Sequence, residues 1–384
     1  FLYMKQIGLH EPFFTGKEKK YLIKCIDENW VSSSGKFLNL FQRKFQNITK
    51  GKFLSPVLNG TIGLHISMIQ AGVSKNDEVI VPTITFVATI NSIKYVGASP
   101  LFMDVDEYLN IDEQKTIEFI EKKTIFNNGY TYNKITGNKI KALVVVHTFG
   151  NAARIEKIFE ICKKRKIKLI EDAAESLGTK YNSGKFRNKH TGTIGDFGIF
   201  SFNGNKIVTS GNGGIVVSKN KKDSLKINYL ISQAKDDKIN FIHKEVGYNY
   251  KLSNISAALG LAQLEKLNLF IKRKKSIRDY YKKKIETIKG VKILESPKYS
   301  QNNNWLNLVQ ISKKEKMKKI IKKLNSNGFQ SRPIWHPNHM QQSFKKNYKY
   351  KIKKAEEFVK SIICLPSSVS LKNKQIDKIV NLIK

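Results

Sequence analysis

The sequence of 384 residues has few cysteines, few arginines and no long apolar run, and each shortage excludes a class of protein. Its three cysteines, Cys25, Cys162 and Cys364, lie far apart and are odd in number. This excludes a disulfide framework and favours a reducing compartment. No run of about eighteen apolar residues is present to span a bilayer, and the first residues lack the pattern of a signal peptide. We therefore expect a cytoplasmic protein with no membrane partner.

Acidic residues are also scarce, since 69 Lys and Arg against 31 Asp and Glu give a formal net charge of +38. Such an excess is typical of proteins that bind nucleic acid or another polyanion. However, only seven of the 69 are Arg, the residue best suited to read bases and clamp phosphates, and the 62 Lys are spread along the chain. We interpret the surplus as solvated surface and expect no nucleic-acid partner, with a polyanion-binding protein as an alternative.

Apolar residues make up 40% of the chain and form short runs that alternate with helical stretches. Runs that are apolar throughout are typical of strands buried on both faces of a parallel sheet. These runs cover residues 78–81, 100–104, 142–147, 168–172, 197–202 and 214–217. The pattern predicts an α/β fold whose large domain, with a mostly parallel central sheet, covers residues 1–251. A connecting helix and a smaller C-terminal α+β domain are expected over residues 252–384.

Local signals predict individual elements. A capping-box pattern at residues 15–18 predicts a helix that runs to about Asn29. A second helix is expected over residues 60–69, ended by Gly72. The insert at 126–139 is polar and rich in Asn and Gly, so we expect a surface excursion there. The N-terminus of the second helix is a candidate anion site, because its free backbone amides and its dipole favour negative charge.

Isolated motifs for metals and nucleotides are weak. His336 and His339 are three residues apart, but Pro337 lies between them and no third ligand is near, so we expect no metal site. The glycine-containing segments 183–185 and 211–214 lack the full spacing of phosphate or dinucleotide loops. The chemistry must therefore come from residues that are distant in the sequence.

Asp172 and Lys206 are the most informative pair of such residues. Asp172 ends an apolar strand, and open parallel sheets bind ligands beyond the carboxyl ends of their strands. Lys206 lies on an Asn/Gly turn directly after another strand. Taken singly, they could be a helix-capping Asp and a surface Lys. Together they are the residues that pyridoxal phosphate chemistry requires, a lysine for the Schiff base and a carboxylate for the pyridinium nitrogen.

Further residues fit the same cofactor. Gly60 and Thr61 lie at the N-terminus of the second predicted helix, where a phosphate group would be stabilised. Ser201 could donate a further hydrogen bond to that phosphate. Phe86 follows a buried strand and could cover one face of the cofactor ring, although core packing would explain it equally well.

A series of motifs in a fixed order then resembles the sugar-nucleotide aminotransferases of the DegT/StrS family, which have the type I fold of pyridoxal phosphate enzymes. The resemblance runs over nearly the whole chain. The motifs include WVSSSGKF, NGTIGLH, VPTITFVATINSIKYVGASPLFMDVD, VVVHTFG, EDAAESLG, SFNGNK, GYNYKLSNISAALGLAQLE, SRPIWHPNHMQ and CLPSS.

The resemblance implies a role for each matching residue. It implies that Lys206 is the Schiff-base lysine and proton shuttle, with Asp172 at the pyridine nitrogen. It also implies that Glu175 lies near the ring hydroxyl and that Phe86 stacks on the ring. Asn249 matches the residue that relatives extend across a dimer interface to the neighbour's phosphate, so a homodimer is expected. The implied phosphate ligands within the chain are Gly60, Thr61 and Ser201.

For the substrate, the resemblance is greatest to the subgroup that aminates UDP- or GDP-linked 4-keto-6-deoxy-2-acetamido hexoses for bacterial surface glycans. It implies transfer of an amino group from an amino acid, with glutamate expected, to C4 of the sugar. The residues expected to line the sugar-nucleotide side are Trp30, Ser32, Ser33, Arg332 and His339.

The sequence departs from the usual family pattern at three positions. Lys251 stands where Arg is usual, and Asn212 stands where Gly or Glu is usual. Gln342 stands where Pro commonly follows the sequence His-x-Gln. None of these changes removes a group that the chemistry needs. Two alternatives stay open at this point, a pyridoxal phosphate enzyme of another reaction class, such as a dehydratase, and a catalytically inactive relative. Lys206 argues against the dehydratase, because family members that carry out dehydration have His in its place.

Overall fold

The computed structural model describes residues 6–237 and 239–384. Elements are numbered in chain order. The helices are α1 Lys17–Asp27, α2 Lys36–Thr49, α3 Gly60–Gln70, α4 Val87–Tyr95, α5 Glu113–Lys122, α6 Glu156–Lys164, α7 Lys221–Leu230, α8 Asn254–Leu264, α9 Leu267–Ile285, α10 Lys314–Ser326, α11 Lys354–Phe358 and α12 Asn373–Ile383. The strands are β1 Phe53–Val57, β2 Glu78–Pro82, β3 Ser99–Met103, β4 Thr124–Asn127, β5 Tyr130–Asn133, β6 Lys139–Val146, β7 Lys168–Asp172, β8 Lys180–Tyr181, β9 Phe197–Ser201, β10 Gly214–Ser218, β11 Val291–Ile293, β12 Ser300–Gln301, β13 Asn307–Ile311, β14 Arg332–Pro333, β15 Lys349–Tyr350 and β16 Ile362–Leu365.

The central sheet has the strand order β1-β10-β9-β7-β6-β2-β3-β15. From β9 to β15 neighbouring strands run parallel, whereas β10 and β1 are antiparallel at one edge. All six apolar runs predicted from the sequence lie in strands of this sheet, which confirms the predicted mostly parallel α/β arrangement.

Helices cover both faces of the sheet. Successive side chains of a strand point to opposite faces, so Val79 and Val81 of β2 belong to the core shared with α3 and α4. Ile80, between them, belongs to the core shared with α5 and α6. Burial on both faces explains why these strands are apolar throughout rather than alternating.

A second, four-stranded antiparallel sheet has the order β11-β13-β16-β14, and α9, α10 and α12 share its apolar core. The stretch that the sequence presents as one long helical connector is two helices, α8 and α9, with a break after Leu264. The proposed domain boundary at residue 251 stays a prediction. Within the described residues, no helix combines the length and the apolar character that crossing a bilayer requires.

The polar insert after residue 126 is more ordered than the sequence suggests. It forms the hairpin of β4 and β5, and β5 extends the central sheet by pairing with β6. The turn contains Asn128 and Gly129 with φ of 47° and 80°, the left-handed conformations that a tight two-residue hairpin turn requires. Asn133 is buried and donates to Glu78 at 2.8 Å, which fixes the hairpin to β2. The polar composition of this insert therefore did not reveal that it forms two paired strands.

The helix signals are confirmed with small differences. In α1 the carboxylate of Glu18 accepts the backbone N–H groups of Thr15 and Gly16 at 3.0 and 2.9 Å, whereas the Thr15 hydroxyl makes no cap. Asn59 caps α3 by accepting the Ile62 N–H at 2.9 Å. Gly72 follows the helix with φ of 73°, as expected of a glycine at a helix C-terminus.

Glu171 of β7 is a fully buried carboxylate in the central sheet. Its two oxygens accept the backbone N–H groups of Gly192, Ile194 and Gly195 at 2.6 to 2.8 Å. The His147 ring lies 3.0 Å away. Burial opposes the charge, but His147 and the backbone donors hold the pKa of Glu171 below its usual value. The loop that precedes β9 is thereby fixed to β7.

Replacing Glu171 by Gln should destabilise the protein, because the new amide NH₂ would face backbone donors. We expect the free energy of unfolding to fall by about 3 kcal/mol at neutral pH, measured by chemical denaturation. A lowered folded-state pKa stabilises the fold above the ordinary carboxyl pKa, and this contribution is lost as the pH falls through the folded pKa. The difference from the native chain should therefore shrink in acid. Glu121→Gln, on the exposed side of α5, is the control, and equal stability of the two variants would contradict this account.

Candidate active site

A cavity of about 300 Å³ opens where several strands of the central sheet end. Val146, Asp172 and Ser201, the last residues of β6, β7 and β9, lie on its wall. The N-terminus of α3 and the residues before α4 complete that side. Ligands of open parallel sheets bind at such a position, beyond the carboxyl ends of the strands.

Asp172 lies at the base of the cavity and is 6% exposed. One carboxylate oxygen accepts the Thr89 hydroxyl at 2.7 Å, and the other accepts the Ala174 N–H at 3.1 Å. Burial raises the pKa of Asp172, while these two hydrogen bonds and the charge of Lys206 oppose the rise. The site thus holds a desolvated carboxylate that a cationic partner would stabilise further.

Lys206 faces Glu175 across the cavity. Its Nζ is 3.3 Å from Oε1 of Glu175 and 4.3 Å from the centroid of the Trp305 ring. The other oxygen of Glu175 accepts the Phe149 N–H at 2.8 Å. Burial raises the pKa of Glu175 to about 7, although Lys206 and the Phe149 N–H oppose the rise. Glu175 can therefore hold or release a proton near neutral pH.

The start of α3 forms an anion cradle. Gly60 and Thr61 line the cavity beside Ser201. A Cβ atom at Gly60 would lie 2.9 Å from the Cβ of Ser201, so only glycine leaves room there. Free backbone amides at this helix N-terminus favour a phosphate group, and the small residues allow it to approach closely.

Aromatic residues form one wall of the cavity, and most of them were not predicted. Phe86 is 54% exposed, and its ring centroid lies 6.3 Å from that of Trp335. Trp335 stacks on Phe149 at 4.4 Å, and Phe149 stacks on Trp305 at 6.3 Å. The position of Trp335 inside the motif SRPIWHP was the signal that could have identified it. Thr89 likewise lies inside the motif VPTITFVAT, whereas Trp305 had no such signal, because its role depends on contacts distant in the sequence.

The structure brings together most of the residues predicted to bind the cofactor and the substrate. Those that line the cavity are Gly60, Thr61, Phe86, Asp172, Glu175, Ser201, Lys206 and Arg332. Asn212, one of the departures from the family pattern, lines it as well. The predicted residues that lie elsewhere are Trp30, Ser32, Ser33, Asn249 and His339.

His339 is buried behind the wall and not exposed on it. Its Nδ1 lies 2.7 Å from the hydroxyl of Thr83, and its Nε2 lies 3.0 Å from Glu356. Burial lowers the pKa of His339, and Glu356 opposes this shift. The adjacent Asn338 donates to the carbonyls of Thr83 and Thr85 at 3.1 and 2.8 Å. This segment therefore supports the loop before Phe86 and does not itself reach the cavity.

The segment that contains Trp30, Ser32 and Ser33 is fixed by Asn254. The Asn254 side chain donates to the Trp30 carbonyl at 2.7 Å, and its backbone N–H donates to the Ser32 carbonyl at 2.6 Å. Trp30 is 52% exposed, so its ring is accessible from solvent. The assignment of this segment to the sugar nucleotide stays a prediction. Asn249 is exposed outside the cavity of its own chain.

The geometry fits pyridoxal phosphate. A buried carboxylate, a lysine amine, an anion cradle that a Cβ would fill and an aromatic wall border one cavity. These are the groups that would hold the ring nitrogen, the aldehyde carbon, the phosphate and the ring face of this cofactor. Fold and site together define a pyridoxal-phosphate-dependent enzyme of the aminotransferase class.

Comparisons with known proteins identify the family. The chain belongs to the DegT/DnrJ/EryC1/StrS aminotransferase family, which it matches over residues 14–384. A GDP-perosamine synthase of Escherichia coli O157:H7 is 37% identical over 374 residues, which cover 97% of this chain and 96% of that protein. EpsN of Bacillus subtilis (strain 168), named as a candidate pyridoxal phosphate-dependent aminotransferase, is 32% identical over 99% of this chain and 95% of its own length.

A solved structure shows the same fold. The aminotransferase TlmJ from Streptoalloteichus hindustanus superimposes with a TM-score of 0.88 over 98% of both chains, at 23% sequence identity. The family assignment confirms the resemblance seen in the sequence, the type I fold and the pyridoxal phosphate cofactor.

Replacing Thr89 by Val should weaken cofactor binding, because Asp172 would lose its shortest hydrogen bond and become harder to ionise. A hydrogen bond to a charged group is worth about 1.5 kcal/mol or more, so the dissociation constant of pyridoxal phosphate should rise by about tenfold. Absorbance titration of the cofactor-free protein measures this. Thr89→Ser keeps the hydroxyl and is the matched control. Equal affinity in the two variants would show that the hydroxyl does not matter.

Proposed function

We propose that this protein transfers an amino group from an amino acid, with L-glutamate as the expected donor, to C4 of a nucleotide-linked 4-keto-6-deoxy sugar. The observation that carries the proposal is the position of Lys206, whose amine shares the cavity with Asp172 and Glu175. The family assignment and the GDP-perosamine synthase relative support an amino-sugar product. Such a product would serve bacterial surface-glycan synthesis.

Lys206 would hold the cofactor through its amine and then move a proton to and from the donor's Cα. When bound, pyridoxal phosphate supplies an electron sink for the bond that breaks at this carbon. A lysine amine can accept and return that proton from a position next to this carbon. The Lys206 side chain is 12% exposed, which keeps its amine largely away from bulk water.

The neighbouring carboxylates have separate tasks. Asp172 would stay ionised with help from Thr89 and Ala174, so that it can pair with the protonated ring nitrogen. Glu175, with a pKa of about 7, would contact the ring hydroxyl and exchange a proton with it or with Lys206. Two carboxyl groups in one cavity thus differ in role because their partners differ.

The substrate side of the cavity carries Arg332, an exposed residue on the wall. Its guanidinium suits the diphosphate of a nucleotide sugar. The surplus of lysine would add long-range attraction for the same dianionic group. Similarity to a GDP-perosamine synthase favours a GDP carrier, whereas the sequence motifs resemble enzymes of UDP- and GDP-linked 2-acetamido sugars.

Replacing Lys206 by Ala should abolish amino transfer and the visible absorbance of the lysine-bound cofactor. The assay would combine glutamate with GDP- and UDP-linked 4-keto-6-deoxy sugars, with and without the 2-acetamido group, and would follow 2-oxoglutarate. In the native chain, 2-oxoglutarate should exceed one equivalent per active site only when a keto sugar is present. Lys221→Ala, an exposed lysine at the start of α7, should behave like the native chain. Full turnover by Lys206→Ala, or a native chain that transforms no keto sugar, would refute the proposal.

We also propose that the enzyme is a homodimer in which Asn249 completes the partner's cofactor site. Asn249 is exposed, yet the flanking Tyr250 carbonyl accepts the Leu58 N–H at 2.8 Å, next to the anion cradle. The preceding loop exposes Ile239, Phe241 and Val246, with 86%, 63% and 85% of their surface accessible. A second copy that covers this loop would bury these apolar side chains. Asn249 would then lie near the anion cradle of that second copy.

Mixing two inactive variants tests this arrangement. Lys206→Ala and Asn249→Ala chains, each with little activity, would form hybrid dimers in which one site carries both changes and the other carries neither. With random pairing, about a quarter of all sites should be intact, and activity should return to that level. If the mixture stays as inactive as its components after subunit exchange, Asn249 does not act across an interface.

A further inference from the structure

Lys274 of α9 is buried but takes no part in the site described above. Its side chain is 1% exposed, and its Nζ donates to the carbonyl oxygens of Trp305 and Ser367 at 2.8 and 2.7 Å. No carboxylate among the described residues forms an ion pair with it, and burial lowers its pKa to about 7. A buried lysine with only carbonyl partners is costly, so its position requires an explanation.

Trp305 connects Lys274 to the active site. The Trp305 side chain is 2% exposed, and its indole N–H donates to the Asn205 carbonyl at 2.9 Å. Asn205 directly precedes Lys206, and the Lys206 amine lies over the Trp305 ring. Lys274 therefore contacts the backbone of Trp305, and the Trp305 side chain in turn contacts the turn that carries Lys206.

The second acceptor, Ser367, belongs to the segment after β16. Its backbone N–H donates to the Leu9 carbonyl at 2.7 Å, and its hydroxyl accepts the N–H and the side-chain amide of Asn307 at 2.9 and 3.0 Å. Lys274 thus joins the catalytic turn to the small sheet and to the N-terminal segment. Within the described residues, neither carbonyl that it contacts accepts another hydrogen bond.

His10 is the titratable neighbour of Lys274 and Lys206. It is 9% exposed, and burial together with the charge of Lys274 lowers its pKa well below the usual value. His10 is therefore neutral near pH 7 and does not replace Lys274 as a cationic donor.

We propose that Lys274 is a positioning residue for the catalytic lysine. Its side chain fixes the Trp305 backbone, and the Trp305 indole then fixes the turn that presents Lys206 to the cofactor. The inference rests on the role proposed for Lys206. Loss of Lys274 would leave two buried carbonyls unpaired and would free the indole to tilt away from Asn205.

The test uses the full-length holoenzyme and a double-mutant cycle. Lys274→Met keeps the side-chain length without donors, Trp305→Phe keeps an aromatic ring without the N–H, and a third chain carries both changes. If Lys274 acts through Trp305, each single variant should lower kcat by about tenfold with little change in KM. The kcat of the double variant should equal that of the less active single variant.

A spectroscopic readout separates positioning from a general loss of stability. The pH titration of visible absorbance from the lysine-bound cofactor should shift in Lys274→Met and in Trp305→Phe. Lys275→Met, the exposed neighbour in α9, is the matched control and should leave both kcat and the titration unchanged. Lys274→Arg keeps donors at this position and should restore part of the native behaviour.

Several outcomes would overturn the inference. One is a Lys274→Met enzyme with a lower thermal midpoint but native kcat and native absorbance titration, and another is additive effects in the double variant. If Lys274→Met does not fold, Trp305→Phe decides, and native behaviour of that variant overturns the inference. Activity in Lys206→Ala would instead refute the proposed function, so the two failures are distinguishable.

Discussion

Two consecutive carboxylates at the end of β7 set the constraint on which the site depends. Glu171 and Asp172 point to opposite faces of the sheet, and both are buried. Glu171 has its hydrogen-bonding capacity filled by His147 and three backbone donors, so its task is to hold the adjacent loop. Among the described residues, Asp172 accepts hydrogen bonds only from Thr89 and Ala174, which leaves part of its capacity for a ligand. Two adjacent carboxylates thus differ, because one is fully used within the fold and the other faces the cavity with unused hydrogen-bonding capacity.

The site is assembled from parts that are distant along the chain. The central sheet supplies Asp172 and the start of α3 supplies the cradle at Gly60, while the region of the second sheet supplies Trp305 and Arg332. The buried side chain of Lys274 donates to the carbonyls of Trp305 and Ser367, which both belong to the latter region. The shape of the cavity therefore depends on how the two regions pack, as well as on the residues that line it.

Much of the fold and of the cofactor site could be predicted from the sequence, for identifiable reasons. The strands buried on both faces are apolar throughout, and Asp172 and Lys206 lie where strands end. The pairing of Thr89 with Asp172 and of Trp305 with Asn205 could not be identified, since these contacts exist only after folding. The hairpin at 124–133 was missed because its strands are polar and short. His339 belongs to a motif that resembles the family and was expected to line the substrate side. Its ring instead contacts Thr83 and Glu356.

The aromatic wall also gives the protein an optical property. The sequence contains three tryptophans, and two of them, Trp305 and Trp335, border the cavity. Trp305 lies against the Lys206 amine, which would carry the cofactor. The excitation energy of its indole would therefore be transferred to the bound cofactor instead of being emitted as fluorescence. Trp30 is exposed and does not border the cavity. The loss of tryptophan fluorescence would therefore report how many sites are filled, without any added label.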